Sequence, residues 1–364
     1  MNIRSLTTKE EMQRYVDFAN EVYRNNLYWV PPDSHHLTEL LAGDGGFESQ
    51  IQSFCVEEGD RILATVAAVR DETYNRHWNE QMGHLLFFEA LPDQHEAVNL
   101  LLRTACDWLR KRGCNGARLS MLPGMQLPLT IDAYDSVPTL FHTFNPSYYH
   151  SYVKNAGFMT EHGVVQYQVK FTPELTDRYR EMVKRATAAG VSLRSWDFDR
   201  LEQENELFTE LCNETFQAHW GFMPLPSEVM QGLTVELKDF LVADFTAFAE
   251  IDGQTAGFVY SAPDLNQALH PMRGKNIEDN FSEFQQLLEK IDHGVLLIIG
   301  VRKDFRGRAI NLALAAKSYL AMIERGYKTA SYTVVLDDNW PSRRTAEKLG
   351  AMVTRNFNVY RRDL

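Results

Sequence analysis

The spacing of apolar and polar positions changes along the chain, and each change marks an element. Residues 295–301 form an unbroken apolar run, the pattern of a strand covered on both faces. Residues 245–251 and 254–260 alternate instead, and the Asp252-Gly253 pair between them signals a hairpin. An earlier pair of runs, 53–57 and 62–69, flanks a turn at Glu58-Gly59-Asp60. Leu201, Leu207, Leu211 and Phe216 fall on one side of a helix over 198–219. Further helices are predicted over 176–189, 281–291, 307–325 and 341–349, the last two stopped by Gly326 and Gly350. Strands at 85–90, 191–197, 329–336 and 354–360 complete the pattern.

The same order of elements occurs twice. Ile3-Arg4-Ser5-Leu6 reappears as Leu193-Arg194-Ser195-Trp196, 190 residues on, and Asn20-Glu21-Val22-Tyr23 as Asn213-Glu214-Thr215-Phe216, 193 residues on. Gly157-Phe158 matches Gly350-Ala351 at the same 193. In between, the offset widens to 213 at Gly113 and Gly326, and a longer excursion in the first half, 123–144, restores it. Agreement at both ends points to duplication. The chain reads as an α/β protein with a first domain over 1–171, a connecting helix over 172–190 and a second domain over 191–364. Its 364 residues, 44% of them hydrophobic, suit two cores better than one.

Composition narrows the function. A formal charge of -12 argues against coating nucleic acid and requires a local basic patch for any anionic ligand. The four cysteines, Cys55, Cys106, Cys114 and Cys212, match no metal-knuckle spacing and read as reduced, buried thiols. The first residues carry no apolar signal region, and no apolar run reaches bilayer-spanning length. A cytoplasmic protein with no membrane or nucleic-acid partner is expected.

Chemistry concentrates where the 295–301 run ends. A strand, a short basic loop and a helix start follow one another across Val301-Arg302-Lys303-Asp304-Phe305-Arg306-Gly307-Arg308-Ala309-Ile310-Asn311. Unpaired amides at a helix start favour an anion, and Gly307 lets the backbone come close to it. Arg302, Lys303, Arg306 and Arg308 add four cations. Such a loop suits a pyrophosphate; a solvated basic turn is the competing reading. No Gly-Lys-Ser/Thr follows, and the glycines are too few for a dinucleotide fingerprint.

The segment resembles the acyl-CoA signature of the GNAT superfamily, Arg/Gln-x-x-Gly-x-Gly/Ala. Arg306 takes the first position, Ala309 stands at the usual Gly and Asn311 at the last Gly or Ala. Asn339, Ser342, Lys348, Leu349 and Gly350 resemble the strand and helix that follow in that family, with Ala346 where a tyrosine is usual. The resemblance spans most of the chain and includes Asn145-Pro146-Ser147-Tyr148-Tyr149 and His219-Trp220-Gly221-Phe222. It implies two tandem GNAT-like domains, each a mixed, mostly antiparallel central sheet flanked by helices. It further implies an acyltransferase, most simply an N-acetyltransferase. That enzyme would move an acetyl or other acyl group from acyl-CoA to the amine of a small molecule or amino acid, without a metal. Carried over residue by residue, the cofactor contacts are Val301, Arg302, Arg306, Gly307, Arg308, Ala309, Ile310, Asn311, Asn339 and Ser342. Oligomeric state is left open, a homodimer included. In the first half, the loop after residues 85–90 reads Leu91-Pro92-Asp93-Gln94-His95-Glu96, without glycine or cation. That copy is expected not to hold CoA.

Acyl transfer to an amine needs a neutral nucleophile and a polarised carbonyl, and no covalent intermediate. Splayed strands 295–301 and 329–336 would hold the thioester, with an amide near Gly300 or Val301 at its oxygen. The catalytic candidates are Asp338, His219 and Tyr360; Tyr332 is a further stand-in for the missing helix tyrosine. Each has a plainer reading: a helix cap for Asp338, a packed helix end for His219, a core aromatic for Tyr360. The departures at Ala309, Asn311 and Ala346 keep a second class open, a non-catalytic acyl-CoA-binding or regulatory module.

Overall fold

A computed structural model of the chain describes residues 1–43, 49–142, 144–224 and 226–364. Thr143, in the predicted excursion, lies outside them. The strands are β1 (Asn2–Leu6), β2 (Ser49–Glu58), β3 (Arg61–Asp71), β4 (Met82–Ala90), β5 (Gly116–Leu119), β6 (Leu129–Thr130), β7 (Met159–Lys170), β8 (Ser192–Ser195), β9 (Ala247–Ile251), β10 (Gln254–Pro263), β11 (His293–Val301), β12 (Thr329–Leu336) and β13 (Met352–Asp363). The helices are α1 (Lys9–Val22), α2 (Ser34–Ala42), α3 (Glu72–Trp78), α4 (His95–Arg110), α5 (Tyr149–Asn155), α6 (Pro173–Ala188), α7 (Leu201–Phe216), α8 (Ser227–Leu237), α9 (Asn266–Leu269), α10 (Phe281–Leu288), α11 (Ile310–Glu324) and α12 (Trp340–Lys348). None among the described residues is long and apolar enough to cross a membrane.

Two compact units form. The first is Met1–Val164 with Asn356–Leu364, the second Val165–Arg355. They divide the chain differently from the predicted 1–171, 172–190 and 191–364. The last nine residues complete the first unit, where Tyr360–Asp363 pair antiparallel with β5. The second half of β7, from Val165, belongs to the second unit, as the neighbour of β12. The segment expected to connect the domains is α6, capped by Thr172 and built into the second unit's core. There Tyr179 is fully buried and donates to the Leu349 carbonyl at 2.6 Å.

In the first unit the strands run β1-β2-β3-β4-β5-β13, antiparallel except for β4 beside β5. Val98, Leu101, Leu102, Ala105 and Leu109 repeat at helical spacing along α4 and are buried in its core. The second unit repeats the order as β8-β9-β10-β11-β12-β7, again with a parallel pair, β11 beside β12. Its hairpin turns at Asp252 and Gly253, with φ of 50° and 77°, both left-handed as the two-residue turn requires. Helix α11 buries Ala313, Leu314, Ala315, Ala316, Tyr319 and Met322.

Candidate functional site in the second unit

The parallel pair creates the site by stopping early. Register runs His293↔Thr329, Gly294↔Ala330, Val295↔Ser331 and Leu296↔Tyr332, and ends there. β11 continues to Val301 and β12 to Leu336, so a wedge opens between them. Burial follows the pairing: residues 293–296 are buried, whereas Leu297, Ile298, Ile299 and Val301 are half-buried. The apolar run is therefore a doubly covered strand only over its first part.

The other side of β11 stays paired with β10, with a register shift between Tyr260 and Ser261. The Arg302 amide donates to the Ala256 carbonyl at 2.9 Å. Successive amides of a strand alternate in direction, so that of Val301 points the opposite way, into the wedge. Among the described residues it meets no side-chain acceptor. Gly300 is fixed by contact, because a Cβ there would lie 2.6 Å from the Phe258 ring and 2.7 Å from the Thr215 hydroxyl.

At the wedge's mouth the basic loop differs from its sequence reading. Helix α11 starts at Ile310, not Gly307, after a short 3-10 turn at Lys303–Phe305. Gly307 has φ 83°, and Ala309, at the helix N-cap, has φ 57° with no side-chain cap on the amides behind it. Arg302 is occupied: its guanidinium donates to Glu214 at 2.8 Å, Glu210 at 2.5 Å and the Thr255 carbonyl at 3.2 Å. Glu210 and Glu214 of α7 thus neutralise one of the four cations. Lys303, Arg306 and Arg308 are exposed, with the Arg306 Nε donating to the Val301 carbonyl at 3.1 Å and Arg308 over the Phe305 ring. The Asn311 side chain turns away to donate to the Thr345 hydroxyl at 2.7 Å, and Ile310 is core.

The candidates behind the loop separate into two places. Asn339 caps α12, accepting from the Ser342 amide at 3.3 Å through Oδ1. That bond orients its amide so that Nδ2 donates to His219 Nε2 at 3.1 Å. His219 Nε2 must then be the bare nitrogen, and Nδ1–H donates to the Trp220 carbonyl at 3.2 Å. Burial lowers the pKa of His219, against the opposing pull of the Trp220 carbonyl and Asp338. Asp338 is exposed, and the cap is its neighbour Asn339. The Ser342 hydroxyl meets that of Tyr332 at 2.9 Å, and burial pushes the Tyr332 phenol up to about 12. Tyr360 is elsewhere: it is buried in the first unit, where its hydroxyl donates to His150 Nδ1 at 2.6 Å. The links His219–Asn339, Asn311–Thr345 and Arg302–Glu210/Glu214 carry no signal in the sequence, since each joins residues 34 or more positions apart.

A duplicated sheet with an early-ending parallel pair and a helix start at the wedge defines the tandem GNAT fold, the fold of a large class of acyltransferases. The whole chain superposes on a tandem GNAT protein from the clavulanic acid biosynthesis pathway, with TM-score 0.55, 12% identity and 98% of that chain covered. It also superposes on a GCN5-related N-acetyltransferase from Sphaerobacter thermophilus, with TM-score 0.55, 12% identity, and 99% and 95% of the two chains covered. In sequence the chain is 24% identical over 375 residues to a bacterial ceramide synthase of Caulobacter vibrioides, covering all of this chain and 98% of that one. It is 19% identical over 377 residues to the protein YghO of Escherichia coli, covering all of this chain and 95% of that one. No family model matches it.

Proposed function

We propose that the protein is an N-acyltransferase that uses acyl-CoA and works from its second unit. The observation that carries this reading is the open wedge beyond Leu296 and Tyr332, ending at the exposed cations Lys303, Arg306 and Arg308 and the uncapped start of α11. The pyrophosphate would lie against that helix start and those cations. The thioester would lie along β11 with its carbonyl oxygen on the Val301 amide. The neutral amine attacks the carbonyl carbon, its proton passes to His219 Nε2 as Asn339 Nδ2 gives up its hydrogen bond to that nitrogen, and the C–S bond breaks to release the thiolate. His219 suits the base because its Nε2 carries no proton in the tautomer that Asn339 imposes.

The acceptor is the amine of a small molecule or amino acid. One observation favours a narrower reading, the end-to-end likeness to a protein named a ceramide synthase. A ceramide is an N-acylated long-chain amino alcohol, so the acceptor class to test first is an amphipathic amino alcohol, with a long-chain acyl-CoA beside acetyl-CoA.

The experiment is thiol release from acetyl- and long-chain acyl-CoA with a panel of small and long-chain amines. Turnover is expected, with kcat falling about a hundredfold in His219→Gln. Because His219 titrates below its usual range, the acid limb of kcat/KM should lie below pH 6.5. Tight CoA binding with no turnover on any amine would sink the catalytic reading in favour of a non-catalytic acyl-CoA-binding module. A normal rate in Arg306→Glu would remove the site.

A further inference from the structure

The first unit contains the same wedge, already filled. Its parallel pair starts and stops like that of the second unit: Met82↔Gly116 to Leu85↔Leu119, with β4 continuing to Ala90. The Leu91 amide donates to the Leu63 carbonyl at 3.0 Å, as Arg302 does to Ala256, so Ala90 occupies the place of Val301. Its amide therefore also points into a wedge, yet Ala90 is fully buried while Val301 is half-buried.

What buries it is side chains of the same unit. The Ala90 amide donates to the Tyr149 hydroxyl at 2.7 Å, and that hydroxyl donates to the Glu89 carboxyl at 2.6 Å. Burial raises Glu89 to about 8. The Tyr148 hydroxyl donates to the Ala90 carbonyl at 2.8 Å. The Phe87 amide donates to Gln126 Oε1 at 2.7 Å. At the start of α4 the Gln94 amide donates to the Tyr152 hydroxyl at 2.8 Å, which in turn donates to the Leu91 carbonyl at 2.9 Å. The strand edge and helix start that lie open in the second unit are capped here by phenols.

The repeat shows why the two wedges differ. At the 193-residue offset relating Gly157 to Gly350, Tyr149 corresponds to Ser342 and Tyr152 to Thr345. Both counterparts are short: among the described residues the Ser342 hydroxyl meets that of Tyr332, and the Thr345 hydroxyl meets Asn311 and the Pro341 carbonyl. Building on the reading under Proposed function, we propose that Tyr149 and Tyr152 are internal occupants of the first unit's ligand groove. Residues 149 and 152 against 342 and 345 thus decide which half accepts acyl-CoA, and the chain takes one acyl-CoA.

Amide hydrogen exchange on the full chain, with and without CoA, tests this. In the free protein the Ala90 and Gln94 amides should exchange slowly and ignore CoA. The Val301 amide and those at the start of α11 should be slowed only when CoA is added. Tyr149→Phe should speed Ala90, and Tyr152→Phe should speed Gln94, each by about tenfold, the worth of one hydrogen bond. Calorimetry should count one CoA per chain in the wild type and none in Arg306→Glu. Unchanged exchange in both tyrosine variants overturns the proposal, as does slowing of Ala90 by CoA or a CoA retained by Arg306→Glu. Should a variant fail to fold, the free wild type suffices, because fast exchange of its Ala90 amide overturns the proposal as well. If CoA binds nowhere, the acyl-CoA reading falls, while exchange at Ala90 and Gln94 in the variants still decides whether the phenols close the groove.

Discussion

Ala309 and Gly307 sit two residues apart in the basic loop, and both hold left-handed backbone, with φ of 57° and 83°. For an alanine that conformation is strained by a Cβ–carbonyl contact, so Ala309→Gly should stabilise the protein by up to ~1 kcal/mol. Gly307→Ala should cost ~1 kcal/mol from backbone strain alone, since nothing lies within 4 Å of the added Cβ. Urea unfolding midpoints check both, and equal shifts of the same sign would show the loop conformation to be otherwise. The place of Gly307 in a loop between a strand and a helix was legible in the pattern. The pairing of Arg302 was not, because Glu210 and Glu214 belong to a helix some ninety positions earlier and only folding brings them to it. A count of cations along the sequence therefore overstated the positive charge open to an anion at the wedge.

Helix α12 shows what an element contributes beyond its residues. Its N-cap, Asn339, satisfies a backbone amide and at the same time sets the tautomer of His219. Asn339→Ala should lower stability by ~1 kcal/mol through loss of the cap. It should also abolish the preference for the Nδ1–H tautomer of His219, as read from imidazole nitrogen shifts. Retention of that tautomer in the variant would show that Asn339 does not set the protonation of His219. Periodicity located most elements well: the hairpin around Asp252-Gly253, the β12 strand and the helix ended by Gly350 all fall where the pattern puts them. The start of α11 was the main displacement. Ala309 is a good helix former in sequence, and it is its left-handed backbone, φ 57°, that makes the helix begin at Ile310.

Each unit also buries a neutral histidine on the first strand of its parallel pair. His84 of β4 and His293 of β11 are held down to about 3 and about 4, chiefly by burial. In the unfolded chain both would titrate near 6.5. As pH falls below 6.5 the unfolded state takes up protons that the folded rings refuse, so stability is full above 6.5 and declines toward pH 4. Urea titrations at pH 7 and pH 4.5 should show this loss, and His293→Asn should shrink it; a flat profile would mean that the rings are solvated. At this scale the duplication was readable, because the offsets agree at both ends of the chain, and so was the GNAT-like order of strands. The composition of the units was not. β7 and β13 have the apolar alternation of sheet strands wherever they are placed, and periodicity carries no information about which sheet a strand joins. That choice is made by backbone hydrogen bonds such as those pairing Tyr360 with Leu119, more than two hundred residues apart. The sequence by itself determined the elements, their repetition and the one basic strand–loop–helix junction, because these depend on neighbours in the chain. Tertiary structure alone decided where the parallel strands part, which cations are already paired and which wedge is filled by tyrosines, because each depends on side chains that meet only after the sheet has formed.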